Sequence, residues 1–263
     1  MTVAGDPYVR IAGLDKVYPS AKGNIDALKG IDLAIAKGEF VSILGPSGCG
    51  KSTLLKCVAG LTGISAGTVQ IRGQAVSAPP DGMAIVFQRD ILLDWRTVLD
   101  NVLLPIEFRR QPRAPFISKA KDLLHLLGIY GFEDRHPWEL SGGMRQRVAI
   151  CRALIQEPEL LLMDEPFGAL DALTRDELNV ELQRIWMATG KTVMFITHSI
   201  AEAVFLSDRV VVMSRSPGRL IEDIAIELPR PRGLDARETA DFGRHTSHIR
   251  RLFQDMGLLK GQP

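Results

Sequence analysis

Five apolar runs mark the chain: Phe40–Leu44, Met83–Phe87, Leu160–Met163, Thr192–Ile196 and Val210–Met213. Each is about four to six residues long and apolar at successive positions, which predicts strands buried on both faces, as in a parallel sheet covered by helices. Helical spacing lies between them. Ser118 to Leu127 carries Leu123, Leu124, Leu126 and Leu127 and stops at Gly128, a plausible terminating glycine. Thr174 to Thr189 sets Leu178, Leu182, Ile185 and Trp186 on one face and ends before Gly190. Strands alternating with helices predict an α/β fold. Two stretches break the rhythm. Residues 1–40 and 64–78 read as short alternating strands with turn residues between, antiparallel in character. Residues 90–156 read as mainly helical, with Pro112 and Pro115 marking a loop inside them. The last stretch opens with Pro229 to Arg232 and ends in an amphipathic piece around Ile249 to Leu259.

Composition narrows the class. The chain has 263 residues, 46% hydrophobic and 24% charged, which suits a soluble globular protein with a sizeable core. Its 32 Lys+Arg against 31 Asp+Glu leave a net charge of +1, which removes the electrostatic case for nucleic-acid binding. The longest stretch free of charged residues, 57–71, is interrupted by Gly60, Gly63 and Gly67 and falls short of the roughly 20 apolar residues of a bilayer span. Met1 to Arg10 holds no apolar segment of the secretory type. Cys49, Cys57 and Cys151 are odd in number and widely spaced, so a reducing compartment is expected.

The candidate chemistry starts after the first apolar run. Gly45, Pro46, Ser47, Gly48, Cys49, Gly50, Lys51, Ser52 and Thr53 follow a predicted strand and precede the helical run Leu54 to Ala59. This is G-x-x-x-x-G-K-[ST] in its required setting. The glycines let successive N–H groups turn inward around an anion, and the helix N-terminus adds partial positive charge. Lys51 is expected to reach the β- and γ-phosphates of a nucleotide, and the Ser52 hydroxyl to ligate Mg2+. Further on, the run Leu160 to Met163 ends in Asp164 and Glu165. Asp164 is placed to hold Mg2+ through water, and Glu165 to polarise an attacking water. A hydrolase or a kinase would use the same parts.

Leu140, Ser141, Gly142, Gly143 and Met144, followed by the helical run Arg145 to Leu154, distinguish these options. Ser141 to Gly143 opens a helix, a second anion-binding N-terminus in one chain. The order and spacing of the three motifs resemble the ATP-binding cassette family, with 140–144 similar to its signature. The resemblance runs from residue 8 to about 220. It implies a P-loop NTPase (RecA-like) core with an N-terminal antiparallel β subdomain and an inserted helical subdomain. The expected division is one ATPase domain over 1–228, with 1–40 and 64–80 as β subdomain. The core then takes 41–63, 81–89 and 157–228, the helical subdomain 90–156, and 229–263 form a short extension.

Residue by residue, the resemblance implies that Tyr18 stacks on adenine and that Gln88 contacts Mg2+ and the attacking water. It makes Gly168 to Asp171 a loop crossing to a partner site and His198 a switch histidine at the γ-phosphate. Ser141, Gly142 and Gly143 would bind the ATP of a second copy, giving a head-to-tail homodimer. Met144 departs from the glutamine usual there, Cys151 from an alanine, and Asp94 from a proline. Without membrane helices, coiled coil or second cassette, the chain looks like the separate ATPase subunit of a bacterial importer. It would sit peripherally on the cytoplasmic face of the inner membrane, on permease subunits served by a solute-binding protein. Leu93 to Val102, Met213 to Arg219 and Leu228 to Arg232 are similar to the nitrate/sulfonate/taurine subgroup. A soluble ATP-driven switch without a membrane partner is the alternative. Ile91, Leu92, Leu93 and Trp95, rimmed by charge, are the expected docking surface. The basic run Arg109, Arg110, Arg113, Lys119 and Lys121 reads as a solvated face, with a face toward lipid head groups as the alternative.

Overall fold

The computed structural model describes residues 6–21 and 23–258. From the N-terminus, β1 (Val9–Tyr18) and β2 (Ile25–Ile35) form an antiparallel pair, then β3 (Phe40–Leu44) enters a second sheet and α1 (Lys51–Val58) follows it. The chain returns to the first sheet through β4 (Ala66–Ile71) and β5 (Gln74–Ala75), giving the order β2-β1-β4-β5. After β6 (Met83–Val86) come three helices, α2 (Val98–Phe108), α3 (Ala114–Leu126) and α4 (Gly142–Leu154). The remainder alternates: β7 (Leu160–Asp164), α5 (Ala172–Thr189), β8 (Thr192–Thr197), α6 (Ile200–Leu206), β9 (Arg209–Met213), β10 (Leu220–Ala225) and α7 (Ala240–Asp255).

The second sheet has the order β10-β9-β3-β8-β7-β6, parallel except for the antiparallel edge strand β10. All residues of β3 and β8 are buried, which accounts for their unbroken apolar runs. The pleat divides β3 between two cores. Phe40 and Leu44 face the helices, packing with Phe195, Phe167 and residues of α2 to α6. Val41 and Ile43 face α1 and the antiparallel sheet, with Leu54, Val58, Ile31 and Val69. α1 is thereby clamped between the two sheets, so its N-terminus is rigidly placed at the C-terminal ends of the parallel strands.

The elements depart from the sequence pattern in three places. β1 and β2 are long rather than short, because they pair over most of their length with Val9 opposite Ile35 and Tyr18 opposite Ile25. The break between α2 and α3 spans Arg109 to Arg113, whereas Pro115 lies within the first turn of α3, where a missing N–H costs no helical bond. The C-terminal amphipathic helix begins earlier, at Ala240, capped by the Thr239 hydroxyl; Leu259 lies outside the described residues. No helix among the described residues is long and apolar enough to cross a membrane.

Candidate nucleotide-binding site

β3 ends at Leu44 and the loop 45–50 wraps onto α1. Gly50 is the residue before the helix, with φ 103°; a Cβ there would meet the Ala27 carbonyl and a Leu28 methyl at 2.8 Å, so no other side chain fits. The Cys49 N–H bonds Pro46 O at 3.3 Å, folding the loop on itself. No side chain caps α1, which leaves first-turn N–H groups directed out of the helix end. Lys51 is 4% exposed, its Nζ donating to Gly45 O at 2.9 Å and Pro46 O at 3.1 Å. The Cys49 side chain is buried beneath the loop, where loss of water pushes its thiol pKa up.

The carboxylate pair closes the other side. Ser52 donates its hydroxyl to Asp164 Oδ1 at 2.9 Å, joining α1 to the end of β7 across 112 positions of sequence. Burial raises the Asp164 pKa, and the Ser52 hydrogen bond opposes that shift. Glu165 sits at φ 45°, a left-handed conformation that costs a side-chain-bearing residue roughly 1–3 kcal/mol. It is held there by its N–H to Ile196 O at 2.9 Å and by the Gly168 N–H on its carbonyl at 3.1 Å. The strained backbone places its carboxylate between two nitrogens: Oε1 is 3.5 Å from Lys51 Nζ, and Oε2 is 3.0 Å from His198 Nδ1. A groove of about 380 Å³ runs past Ser47, Gly50, Lys51, Ser52, Gln88 and Glu165, with Ile25 on its wall.

The remaining expected site residues divide into two groups. Tyr18 is half-buried and pairs with Ile25 of the groove wall without itself lining the groove, and Lys16 Nζ lies 4.6 Å from its ring centre. Gln88 is exposed just beyond β6, with Gly168 beside its amide. Ser141, Gly142 and Gly143 do not line the groove that holds Lys51. Ser141 caps α4, its hydroxyl accepting the Met144 N–H at 3.2 Å, and Gly143 is pressed against Thr174. Asp171 likewise caps α5.

Several residues at the site carry no sequence motif. Arg152 on α4 donates to Asp90 O at 2.6 Å and Ile91 O at 2.7 Å, and Arg145 holds the Asp90 carboxylate at 2.9 Å. The segment after Gln88 is thereby bolted to the helix that Ser141 begins. Ile91 is forced to φ 46°, an outlier for a β-branched residue, and is 53% exposed. Trp95, at 74%, projects freely; Leu92 packs on the core and Leu93 is half-buried. An apolar groove of about 560 Å³ opens here, lined by Ile85, Phe87, Ile91, Leu93, Leu104 and Phe108. Arg113 pairs with Asp100 and Glu107, and Lys119 with Glu157, which consumes part of the basic run in internal ion pairs.

Comparison with known proteins agrees with this geometry. The ABC transporter family model matches residues 28–168. The bicarbonate transport ATP-binding protein of Synechocystis is 43% identical over 231 residues, 87% of this chain and 82% of its own length. The aliphatic sulfonates import ATP-binding protein of Bacillus cereus is 39% identical over 253 residues, covering 96% of this chain and 98% of that protein. Among solved structures, a dimeric ATP-binding cassette in a post-hydrolysis state with ADP and Pi superposes with a TM-score of 0.73 at 32% identity, over 84% of this chain and 100% of that one. With a phosphate cradle, an acid pair, the family match over 28–168 and a matching fold over 84% of its length, the chain belongs to the ABC transporter family, as one of its ATP-hydrolysing cassettes.

Proposed function

We propose that this cassette is the ATPase subunit of an importer, coupling hydrolysis at a dimer interface to movement of a small solute through separate permease subunits. The observation that carries the hydrolytic role is the row Lys51, Glu165, His198, with Glu165 held between two nitrogens at the mouth of an anion-binding helix. Lys51 and the loop N–H groups bind the β- and γ-phosphates. Glu165 accepts a proton from the attacking water, whose oxygen bonds to the γ-phosphorus as the bond to the ADP oxygen breaks. His198 orients the γ-phosphate and steadies the Glu165 carboxylate. Mg2+ fits the oxygen donors present, the Ser52 hydroxyl, the Asp164 carboxylate and the Gln88 amide, and would neutralise phosphate charge there. Tyr18 supplies a face for adenine.

At the helix start, Ser141 and Gly142 are exposed and do not line the chain's own groove, which supports use of the Ser141–Gly143 turn on the nucleotide of a second copy. The apolar groove behind Ile91 and Trp95 supports docking of a permease segment on the same chain, because a strained isoleucine and an indole are both largely exposed beside it. Docking there would hold the protein peripherally on the cytoplasmic face of the membrane, with a solute-binding protein acting on the far side. Bicarbonate and sulfonate proteins resemble the chain about equally, so the solute is assigned only as a small oxyanion or sulfonate-type molecule. Glu165→Gln tests the mechanism: it should accumulate as an ATP-bound dimer on a sizing column, with ATP turnover reduced about a hundredfold or more. Turnover at the parent rate would refute Glu165 as the base.

A further inference from the structure

A buried polar chain joins the loop Gly168–Asp171 to His198, and the hydrolytic mechanism above makes no use of it. Arg175, one turn into α5, donates from Nη2 to the Leu170 carbonyl at 2.7 Å. Its Nε stands 3.5 Å from Oε1 of Glu202. Glu202 lies on α6, is 5% exposed, and accepts on Oε2 from the Thr197 hydroxyl at 2.6 Å. The Thr197 oxygen in turn accepts the Ser199 N–H at 3.0 Å, and the Ser199 hydroxyl accepts the Glu202 N–H at 3.3 Å. His198 is therefore suspended between two residues whose positions are set by Glu202, and its ring reaches Glu165 at 3.0 Å.

Packing alone gives no reason for a carboxylate at Glu202. Burial of an ion pair generally stabilises a fold less than apolar residues of the same size would, and α6 already has its cap in Ser199. What the chain does provide is rigid registration between two loops at the site. Its ends are loop backbone groups, the Leu170 carbonyl and the Ser199 N–H, and its middle members Glu202 and Thr197 are buried, while Arg175 is partly exposed. The Arg175 Nε is buried with no closed hydrogen bond, so the contact with Glu202 has slack to tighten or open when Leu170 shifts.

We propose, resting on the role given above to His198, that Arg175 and Glu202 are positioning residues that set the imidazole according to the position of the Gly168–Asp171 loop. Neither lines the groove beside Lys51. With that loop crossing to a partner site, as the family resemblance implies, the arrangement would make the placement of one cassette's histidine sensitive to closure against a second copy.

The test uses the purified full chain and a double-mutant cycle on ATP turnover. Glu202→Gln, Arg175→Met and Thr197→Val should each lower kcat about tenfold while KM for ATP stays within about twofold, since binding groups are untouched. Thr197→Ser, which retains the hydroxyl, should recover to within about threefold of the parent. In a His198→Ala background the same substitutions should cost less than about twofold under single-turnover conditions, because their effect passes through the missing ring. Thr197→Val keeps the shape of threonine and decides the question should Glu202→Gln fail to fold. Parent-like kcat in Glu202→Gln and Thr197→Val, or equal losses with and without His198, would overturn the proposal. His198→Ala turning over at the parent rate would instead remove the role of His198, and the proposal with it, a result separable because the single variants are measured independently.

Discussion

Asn101, fully buried in the first turn of α2, is the pivot of the loop that carries Trp95. Its Oδ1 accepts the Leu93 N–H at 2.7 Å, and its Nδ2 lies 3.1 Å from Leu93 O, 3.2 Å from Arg96 O and 3.0 Å from Thr97 O. Replacement by leucine keeps the branching and the number of heavy atoms, with slightly more bulk, and removes the amide. Two of the four contacts are backed up, since Leu93 O also accepts the Arg96 N–H and Thr97 O the Asn101 N–H. The Leu93 N–H and the Arg96 carbonyl lose their anchor, at about 1–3 kcal/mol for each stranded group. Leu93 and Arg96 are half-buried rather than sealed, so water recovers part of that. We expect Asn101→Leu to destabilise the chain by about 2–3 kcal/mol, lowering Tm by roughly 5–10 °C for a chain of this size. If the loss is confined to local opening, tryptic cleavage after Arg96 under native conditions should accelerate about thirtyfold or more instead. Asn101→Asp should be worse than leucine, because it turns a donor toward carbonyls into a buried charge. An unchanged Tm together with unchanged cleavage after Arg96 would refute the assignment of Asn101 as the anchor.

Other outcomes follow from burial and close approach. A thiol reagent should modify native protein slowly, as Cys49, Cys57 and Cys151 are all buried with pKa values raised by loss of water; denaturant should release all three. Molecules carrying a label on Cys49, identified by mass spectrometry, should no longer bind ATP, and retained ATPase in that fraction would contradict the packing beneath the loop. Asp164 binds its proton more tightly when folded than when unfolded, so its charge weakens the nucleotide-free fold as pH rises from the ordinary carboxylate range through the raised pKa. Asp164→Asn should therefore raise Tm at pH 7 without nucleotide or Mg2+, with the gain vanishing near pH 3; a lower Tm at pH 7 would reverse the sign. Gly143→Ala would place its Cβ 2.6 Å from the Thr174 methyl, so Tm should fall, and adding Thr174→Ser, which deletes that methyl, should restore it.

The local pieces of the site were readable because short-range chemistry produces them. A glycine-rich turn between an apolar run and a helix makes its own anion cradle, and two acids after a buried strand must stand at its C-terminal end. Ser141 announced the start of α4 through its own side chain, as it caps the helix three residues on. Tyr18, Gln88 and His198 were assigned only through family resemblance, and their neighbourhoods became visible when β1 met β2 and β8 met β7. Asn101, Arg145, Arg152 and Glu202 carry no pattern at all. Each looks like an ordinary polar residue on a helix until a loop from another part of the chain supplies its partner; Arg152 and Asp90 are 62 positions apart.

The two levels thus answered different questions. Motif order was enough for a nucleotide-hydrolysing cassette, since binding a polyanion needs only a loop, a lysine and a helix end close together in the chain. The fold was needed to show that Glu165 is strained into place between Lys51 and His198, and that Ser141 does not line the groove beside Lys51. It also revealed that a buried glutamate connects Thr197, through Arg175, to the Leu170 carbonyl. Those relations join residues tens of positions apart, and their distances exist only once the strands have paired and the helices have packed.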